Sequence, residues 1–139
     1  MASPNRVIAK IESAEGFYIG DVCYVLDPKF YAITWGGVHN YEDGCFTDHA
    51  KKRQFAVAGT AWGDGNYSDN FGNAYPVDAG VIGLVPLELV CDDKPEATGT
   101  VIREPGVACF EAEKGKFKIT TPAGKIYIID TFHDGIDDQ

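Results

Sequence analysis

The sequence lacks the features that mark membrane, secreted and zinc-ribbon proteins. No apolar run approaches the ~20 residues that a bilayer-spanning helix needs. The first residues also lack the basic-then-apolar order of a signal peptide, so we expect a cytoplasmic protein without a membrane partner. The four cysteines form no Cys-x-x-Cys pair, which excludes zinc-ribbon and thioredoxin-like motifs. In the cytoplasm we expect the four cysteines to be free buried thiols, with two disulfides as the alternative.

Positive charge is scarce, and the middle of the chain has none. The sequence has 12 Lys and Arg residues against 21 Asp and Glu residues, a net charge of −9. Between Arg53 and Lys94 there is no basic residue, and six acidic residues contribute −6 of that total. Because an acidic surface repels nucleic-acid backbones, we do not expect broad nucleic-acid binding. His49 with the basic run 51–53 is an alternative phosphate contact, although such a run is usually a solvated loop.

Length and composition indicate one globular domain with a β-rich core. The 139 residues, 45% hydrophobic and 24% charged, are enough for a single domain over 1–139, whose tail near 134–139 we expect to fray. Short alternating or apolar segments joined by Gly- and Pro-containing turns predict about eight strands. We therefore expect a mainly β (β-rich α+β) fold, a compact antiparallel barrel or sandwich. The clearest predicted strands cover 6–12, 16–20, 54–62, 81–85, 107–111, 116–121 and 125–131. Side chains alternate along 6–12, which predicts one solvent-facing side, whereas 81–85 is apolar throughout and is expected to be buried on both faces.

Two further elements have recognisable boundaries. Asp27 and Pro28 suit the start of a helix, and Gly36 and Gly37 suit its end, which predicts one short helix near 27–36. The Gly- and Asn-containing segment 71–73 predicts the turn of a hairpin.

Three segments resemble, in the same order, motifs of a family of small, largely uncharacterised proteins from bacteria and their phages. Gly20–Val25 reads Gly-Asp-Val-Cys-Tyr-Val, Thr60–Tyr67 reads Thr-Ala-Trp-Gly-Asp-Gly-Asn-Tyr, and Val77–Gly83 reads Val-Asp-Ala-Gly-Val-Ile-Gly. The chain departs from the family pattern at Val22, where Pro is usual, and at Trp62, where Tyr is usual. The resemblance implies no general activity. By context it suggests a phage protein that sequesters or degrades a nucleotide signal of bacterial immunity.

The Gly-, Asp- and Asn-rich segment 63–70 is the most site-like part of the sequence. Its oxygen donors resemble a loop that wraps a hard cation such as calcium. However, Asp69 stands where an EF-hand requires Gly, and Tyr75 stands where it requires Glu. A turn held by its own Asn and Asp side chains is therefore favoured, and a divalent cation is the alternative.

Three carboxylates and several aromatic rings accompany this loop. If Asp21, Asp64 and Asp78 converge, they form either a metal site or a pocket for ribose-like hydroxyl groups. Aromatic rings beside the loop offer stacking surfaces for a planar ligand. A nucleophilic role for Cys23 would need a histidine base at a recognisable spacing, and a buried thiol in a strand over 22–26 is favoured. The candidate ligand-binding residues are Asp21, Cys23, Tyr24, Trp62, Asp64, Asn66, Tyr67, Tyr75 and Asp78.

These residues support one leading hypothesis and two alternatives. The leading hypothesis is a non-enzymatic protein that binds a small polar or nucleotide-like ligand and, in its most specific form, is phage-encoded and acts in the host cytoplasm. The first alternative is a metal-dependent hydrolase of a phosphorylated small molecule, with Asp21, Asp64 and Asp78 as ligands. The second is a protein-interaction module. The leading hypothesis requires no cofactor or catalytic residue, and a homo-oligomer is compatible with it.

Overall fold

The computed structural model describes residues 6–38, 41–49 and 51–132, so the tail near 134–139 lies outside the described residues. Eleven strands and one helix, Phe30–Val38, account for most of this part of the chain. The strands are β1 (Val7–Ser13), β2 (Phe17–Gly20), β3 (Gly44–Asp48), β4 (Arg53–Gly59), β5 (Gly65–Ser68), β6 (Ala74–Val77), β7 (Val81–Pro86), β8 (Gly99–Ile102), β9 (Gly106–Glu113), β10 (Lys116–Thr120) and β11 (Ile126–Asp130). None of the helical segments described is long and apolar enough to cross a membrane.

The strands form three antiparallel sheets. A four-stranded sheet has the order β1-β9-β10-β11, a five-stranded sheet has the order β3-β4-β7-β2-β8, and β5 pairs with β6. The predicted mainly β fold is confirmed, although the described strands do not close into a barrel. The sheets instead pack face to face.

The main core lies between the four-stranded and five-stranded sheets. Val7 and Ile11 of β1 point inward, whereas Ile8 between them is 63% exposed, as the predicted alternation along β1 requires. The inward residues meet Ala56 and Ala58 of β4 in one buried cluster. The small side chains of β4 therefore allow β1 to pack closely against it.

A second core covers the opposite face of the five-stranded sheet. Trp35 of the helix and Leu26 before it pack against Val57 of β4 and Val85 of β7. All six residues of β7 are buried, because this strand lies centrally in a sheet that is covered on both faces. This confirms the expectation that the apolar segment 81–85 is a strand with no wet face.

Helical residues begin at Pro28, just before the π-helical part Phe30–Val38 and in agreement with the predicted start, but the helix ends later than predicted. Asp27 caps its start, since its Oδ1 accepts a hydrogen bond from Lys29 N at 3.0 Å. The helix, wound as a π-helix, runs through Gly36 and Gly37 to Val38, so the predicted end is two residues early. Gly36 has a packing role instead, because a Cβ at this position would clash with the ring of Tyr41.

The segment after β2 differs from its prediction as a strand over 22–26. Val22–Tyr24 forms one turn of 3-10 helix, and the Oδ1 atom of Asp21 accepts a hydrogen bond from Cys23 N at 2.9 Å. A short Asp side chain that bonds to the backbone two residues ahead favours a turn over an extended strand. Val22 in this turn and Val25 and Leu26 after it belong to the second core.

Candidate functional site

Asp21 joins two of the three sequence motifs through backbone hydrogen bonds. Its side chain is fully buried, and its Oδ2 accepts hydrogen bonds from Asp78 N at 2.7 Å and Ala79 N at 2.6 Å. Its Oδ1 accepts the bond from Cys23 N described above. Short N–H bonds to an ionised carboxylate are strong, and they satisfy a charge that would otherwise be costly to bury. Asp21 therefore positions the loop at 78–79.

The remaining motif, Thr60–Tyr67, contacts the Val77–Gly83 motif at Gly80. Thr60 N donates to Gly80 O at 2.9 Å, and Thr60 Oγ1 donates to Gly63 O at 2.6 Å. A Cβ added at Gly80 would lie 3.6 Å from Gly63 Cα and 3.8 Å from Asp64 Oδ1. These are ordinary contacts, so the glycine is favoured here by its φ of 76° and not by a lack of space. We call this place the motif junction (Asp21–Tyr24, Thr60–Asp64 and Asp78–Gly80).

Tyr24 lies among the three carboxylates of the motif junction. Burial raises the pKa of its phenol, and the negative charges of Asp78, Asp21 and Asp64 act in the same direction. Tyr24 is half-buried, whereas Asp64 and Asp78 are exposed. The structure therefore places two exposed carboxylates and one phenol near each other, and the buried carboxylate of Asp21 beneath them accepts hydrogen bonds from three backbone N–H groups.

The thiol of Cys23 is not activated. Burial, the charge of Asp21 and a hydrogen bond to that carboxylate together raise its pKa to about 12. The thiol consequently stays protonated at neutral pH, whereas a cysteine nucleophile reacts as the thiolate. Cys45, Cys91 and Cys109 are also free, but Cys45 and Cys91 are exposed and Cys109 is half-buried, so the expected burial of the thiols is wrong.

The aromatic residues beside the loop divide into core and surface groups. Tyr67 and Tyr75 are 4% and 0% exposed and belong to the main core, so neither ring is open to a stacking ligand in this structure. Trp62 is 52% exposed. Its Nε1 donates to Phe132 O at 3.0 Å, and its ring lies 5.5 Å from the Phe132 ring, centroid to centroid. Of these three predicted stacking residues, Trp62 is therefore the one whose ring lies at the surface.

Asp69 holds the hairpin turn between β5 and β6. Its carboxylate accepts hydrogen bonds from the hydroxyl of Tyr75 at 2.6 Å, Phe71 N at 2.8 Å, and Asn73 N at 3.0 Å. Burial alone would raise the pKa of Asp69, but these hydrogen bonds outweigh it and lower the pKa. The predicted turn is confirmed, and its main carboxylate is engaged within the turn.

Oxygen donors elsewhere in the loop remain at the surface. Asn66 is exposed on β5, near the exposed Asp64. Over residues 6–38, 41–49 and 51–132, no three His, Cys, Asp or Glu side chains are grouped so as to hold a metal ion. The predicted cation site thus gains no geometric support from the described residues.

Sequence reasoning missed several residues that organise the motif junction. Thr60 and Gly80 connect the loops, and Tyr31 lies close enough to Asp21 and Asp78 for their charges to act on its phenol. Burial is the main cause that raises the pKa of Tyr31 to about 12. The position of Thr60 within a motif was an available signal, whereas nothing in the sequence indicates the contribution of Tyr31.

Comparisons with known proteins add no assignment. No family model, curated protein or solved structure matches the chain.

Proposed function

We propose that this protein is a non-enzymatic binding protein that holds a small polar ligand at the motif junction. The observation that carries the proposal is the set of hydrogen bonds from Cys23, Asp78 and Ala79 to the buried carboxylate of Asp21. These bonds fix two loops that are distant in sequence. They also leave the carboxylates of Asp64 and Asp78 on the surface beside Tyr24.

The chemistry of this surface favours hydroxyl and amino groups as ligand atoms. Ionised carboxylates accept hydrogen bonds, and the phenols of Tyr24 and Tyr31 keep their protons at neutral pH and can donate them. Trp62, in the same loop as Asp64, offers an exposed ring on which a base or a sugar face can stack. These features fit a neutral or cationic polar ligand, such as a nucleoside or a sugar.

The most specific form of the proposal is a phage-encoded protein that sequesters a nucleotide-derived immune signal in the host cytoplasm. The three motifs shared with small bacterial and phage proteins support it, and the ribose and base of such a signal match the surface described above. Its phosphates must face solvent, because the chain has no basic residue between Arg53 and Lys94. Arg53 itself stands six residues from Gly59 along β4, which is about 20 Å in a strand.

Binding without turnover is favoured over the hydrolase alternative by the state of two residues. Asp21 was the proposed metal ligand nearest the core, but both of its oxygens accept backbone hydrogen bonds. Cys23 is protonated and half-buried. Neither group is therefore poised for the chemistry of a hydrolytic site.

Calorimetric titration tests the proposal with a panel of nucleosides, cyclic dinucleotides and neutral sugars. We expect at least one compound to bind the wild type, and we expect Trp62→Ala and Asp78→Asn to weaken that binding tenfold or more. Phe71→Ala is the matched control, because Phe71 is also half exposed and aromatic but lies at the tip of the β5–β6 hairpin. Absence of heat from every compound contradicts the proposal, and conversion of a bound compound to product would support the hydrolase instead.

A further inference from the structure

A surface hollow of about 360 Å³ lies beside the turn between β3 and β4. It belongs to none of the three motifs, and it lies at the end of β4 opposite the motif junction. Its volume falls within the range of small-molecule sites. The hollow is lined by Glu12, Thr47, His49, Lys52, Arg53 and Gln54.

Strand pairing builds one wall of the hollow. Asp48 pairs with Arg53 and Thr47 pairs with Gln54 in the register of β3 and β4, and Gln54 Nε2 donates to Thr47 Oγ1 at 3.2 Å. Lys52 closes the turn with a φ of 57°, a conformation that favours Gly or Asn over Lys. The turn conformation at Lys52 places this residue in the lining of the hollow.

Arg53 is held in place before any ligand binds. Its Nε donates to Glu88 Oε2 at 2.9 Å, and Glu88 in turn accepts a hydrogen bond from Ala14 N at 2.8 Å. A guanidinium has five N–H donors, and this bond uses one of them. Lys51 is turned to the same partner, since its Nζ donates to Glu88 O at 3.3 Å. The hollow is therefore left with Lys52 and a preorganised Arg53 as its cations.

We propose that this hollow binds the phosphoryl group of a small phosphorylated molecule. Arg53 and Lys52 supply the charge-assisted donors that phosphate oxygens prefer, and the imidazole of His49 adds a third nitrogen. Glu12, on β1, accepts a hydrogen bond from a hydroxyl group on the unphosphorylated part of the ligand. A carboxylate at this position repels a second phosphate, so we expect the site to prefer a hydroxyl-bearing phosphomonoester.

Titration of the full chain with ribose 5-phosphate, ribose and inorganic phosphate tests this assignment. We expect ribose 5-phosphate to bind at least tenfold more tightly than ribose, with amide NMR shifts concentrated at 47–49 and 51–54. Lys52→Gln should weaken the binding of ribose 5-phosphate and of inorganic phosphate about tenfold. Glu12→Gln should leave inorganic phosphate binding unchanged or tighter, while weakening ribose 5-phosphate relative to inorganic phosphate.

Two controls separate this site from general charge attraction and from the motif junction. Lys118 lines a different hollow of about 240 Å³ with Arg6, Glu111 and Lys116, so Lys118→Gln should leave ribose 5-phosphate binding unchanged. Trp62→Ala should also leave it unchanged. Equal weakening by Lys52→Gln and Lys118→Gln, or no binding of either phosphate, would overturn the assignment and would leave the ligands of the motif junction unaffected. Loss of ribose 5-phosphate binding in Trp62→Ala would also overturn it, because the ligand would then lie at the motif junction.

Discussion

A single buried carboxylate determines the geometry of the motif junction. Asp21 has no exposed surface, and three backbone N–H groups donate hydrogen bonds to its oxygens. Two of these donors, on Asp78 and Ala79, lie 57 and 58 residues away in the sequence. Asp21, which the sequence suggested as a ligand-binding residue, is thus a tether: its carboxylate joins the turn at Cys23 to the loop at 78–79.

The tether predicts a large stability effect for Asp21→Asn. The substitution keeps the size of the side chain but replaces one acceptor oxygen with an NH₂ group, which then faces a backbone N–H. We expect the free energy of unfolding to fall by about 2–4 kcal/mol, given the cost of an unpaired buried donor and the loss of charge-assisted bonds. Urea denaturation measures it. Asp64→Asn, at an exposed carboxylate of the same site, should change stability by less than about 0.5 kcal/mol, and equal effects would contradict the tether.

Glu88 predicts a pH-dependent contribution to stability. Its oxygens accept hydrogen bonds from Ser13 Oγ, Ala14 N and Arg53 Nε. Burial alone would raise the pKa of Glu88, but these bonds outweigh it and lower the pKa below 4.5. A lowered pKa stabilises the fold above the unfolded value, and the contribution disappears as the pH falls through the folded value.

The test compares Glu88→Gln with the wild type across pH. The variant should be less stable by about 1–2 kcal/mol at pH 7, and the difference should shrink steadily below about pH 4.5. Glu96→Gln is the control, because Glu96 pairs with Arg103 at 3.2 Å on an exposed surface and such pairs contribute little. A difference for Glu88→Gln that grows as the pH falls would show that the carboxylate is not held in its charged form.

At the level of elements, the close approach of β4 and β7 depends on Gly83. A Cβ at this position would lie 2.5 Å from Ala56 O and 2.6 Å from Val22 Cγ1. The backbone oxygen cannot move without disturbing the pairing of Ala56 with Leu84. The absence of a side chain here therefore allows the centre of the five-stranded sheet to form with the 3-10 turn packed on it.

Gly83→Ala should destabilise the sheet by steric overlap. We expect a loss of about 1–3 kcal/mol in the free energy of unfolding, the usual cost of an added methyl group in a packed core. Gly37→Ala is the matched control, because the nearest atom to a Cβ at Gly37 is Ala32 O at 3.6 Å, an ordinary contact. Ala also has a higher helix propensity than Gly, so this variant should not lose stability. Thermal or urea unfolding of both variants measures this, and a neutral Gly83→Ala would show that β4 and β7 can separate without cost.

Elements with a clear hydrophobic period were predictable, and those governed by side-chain to backbone bonds were not. The alternation in β1 and the continuous apolar run of β7 correctly predicted which faces are buried. The segment 22–26 looked equally apolar, but the Asp21 carboxylate turns it into a 3-10 helix. A two-residue hydrogen bond of this kind competes with strand formation and leaves no trace in the hydrophobic period.

The candidate site was predictable in its location more than in the roles of its residues. The three motifs meet in space through Asp21, Thr60 and Gly80. The rings of Tyr67 and Tyr75 instead point into the main core, because β5 and β6 pack on the sheet interface. Which face of a short two-stranded sheet is buried depends on its neighbours, and these are distant in sequence.

At the level of the whole molecule, the five-stranded sheet is shared by both cores. Leu84 belongs to the main core and Val85 to the second, so adjacent residues of β7 anchor opposite layers. Loss of either layer would expose one face of a strand that has no polar side. The two cores should therefore melt together.

Unfolding of the chain should accordingly be one cooperative transition by every probe. Trp35 is 1% exposed in the second core, so the fluorescence of a Trp62→Phe variant reports the helix layer alone. Far-UV circular dichroism of the same sample reports all three sheets. We expect the two urea midpoints to coincide and the two slopes to agree, because small domains with shared cores unfold in a two-state manner. A fluorescence midpoint well below that of circular dichroism would mean that the helix layer detaches while the sheets remain paired, and the second core would then be a separate unit of stability.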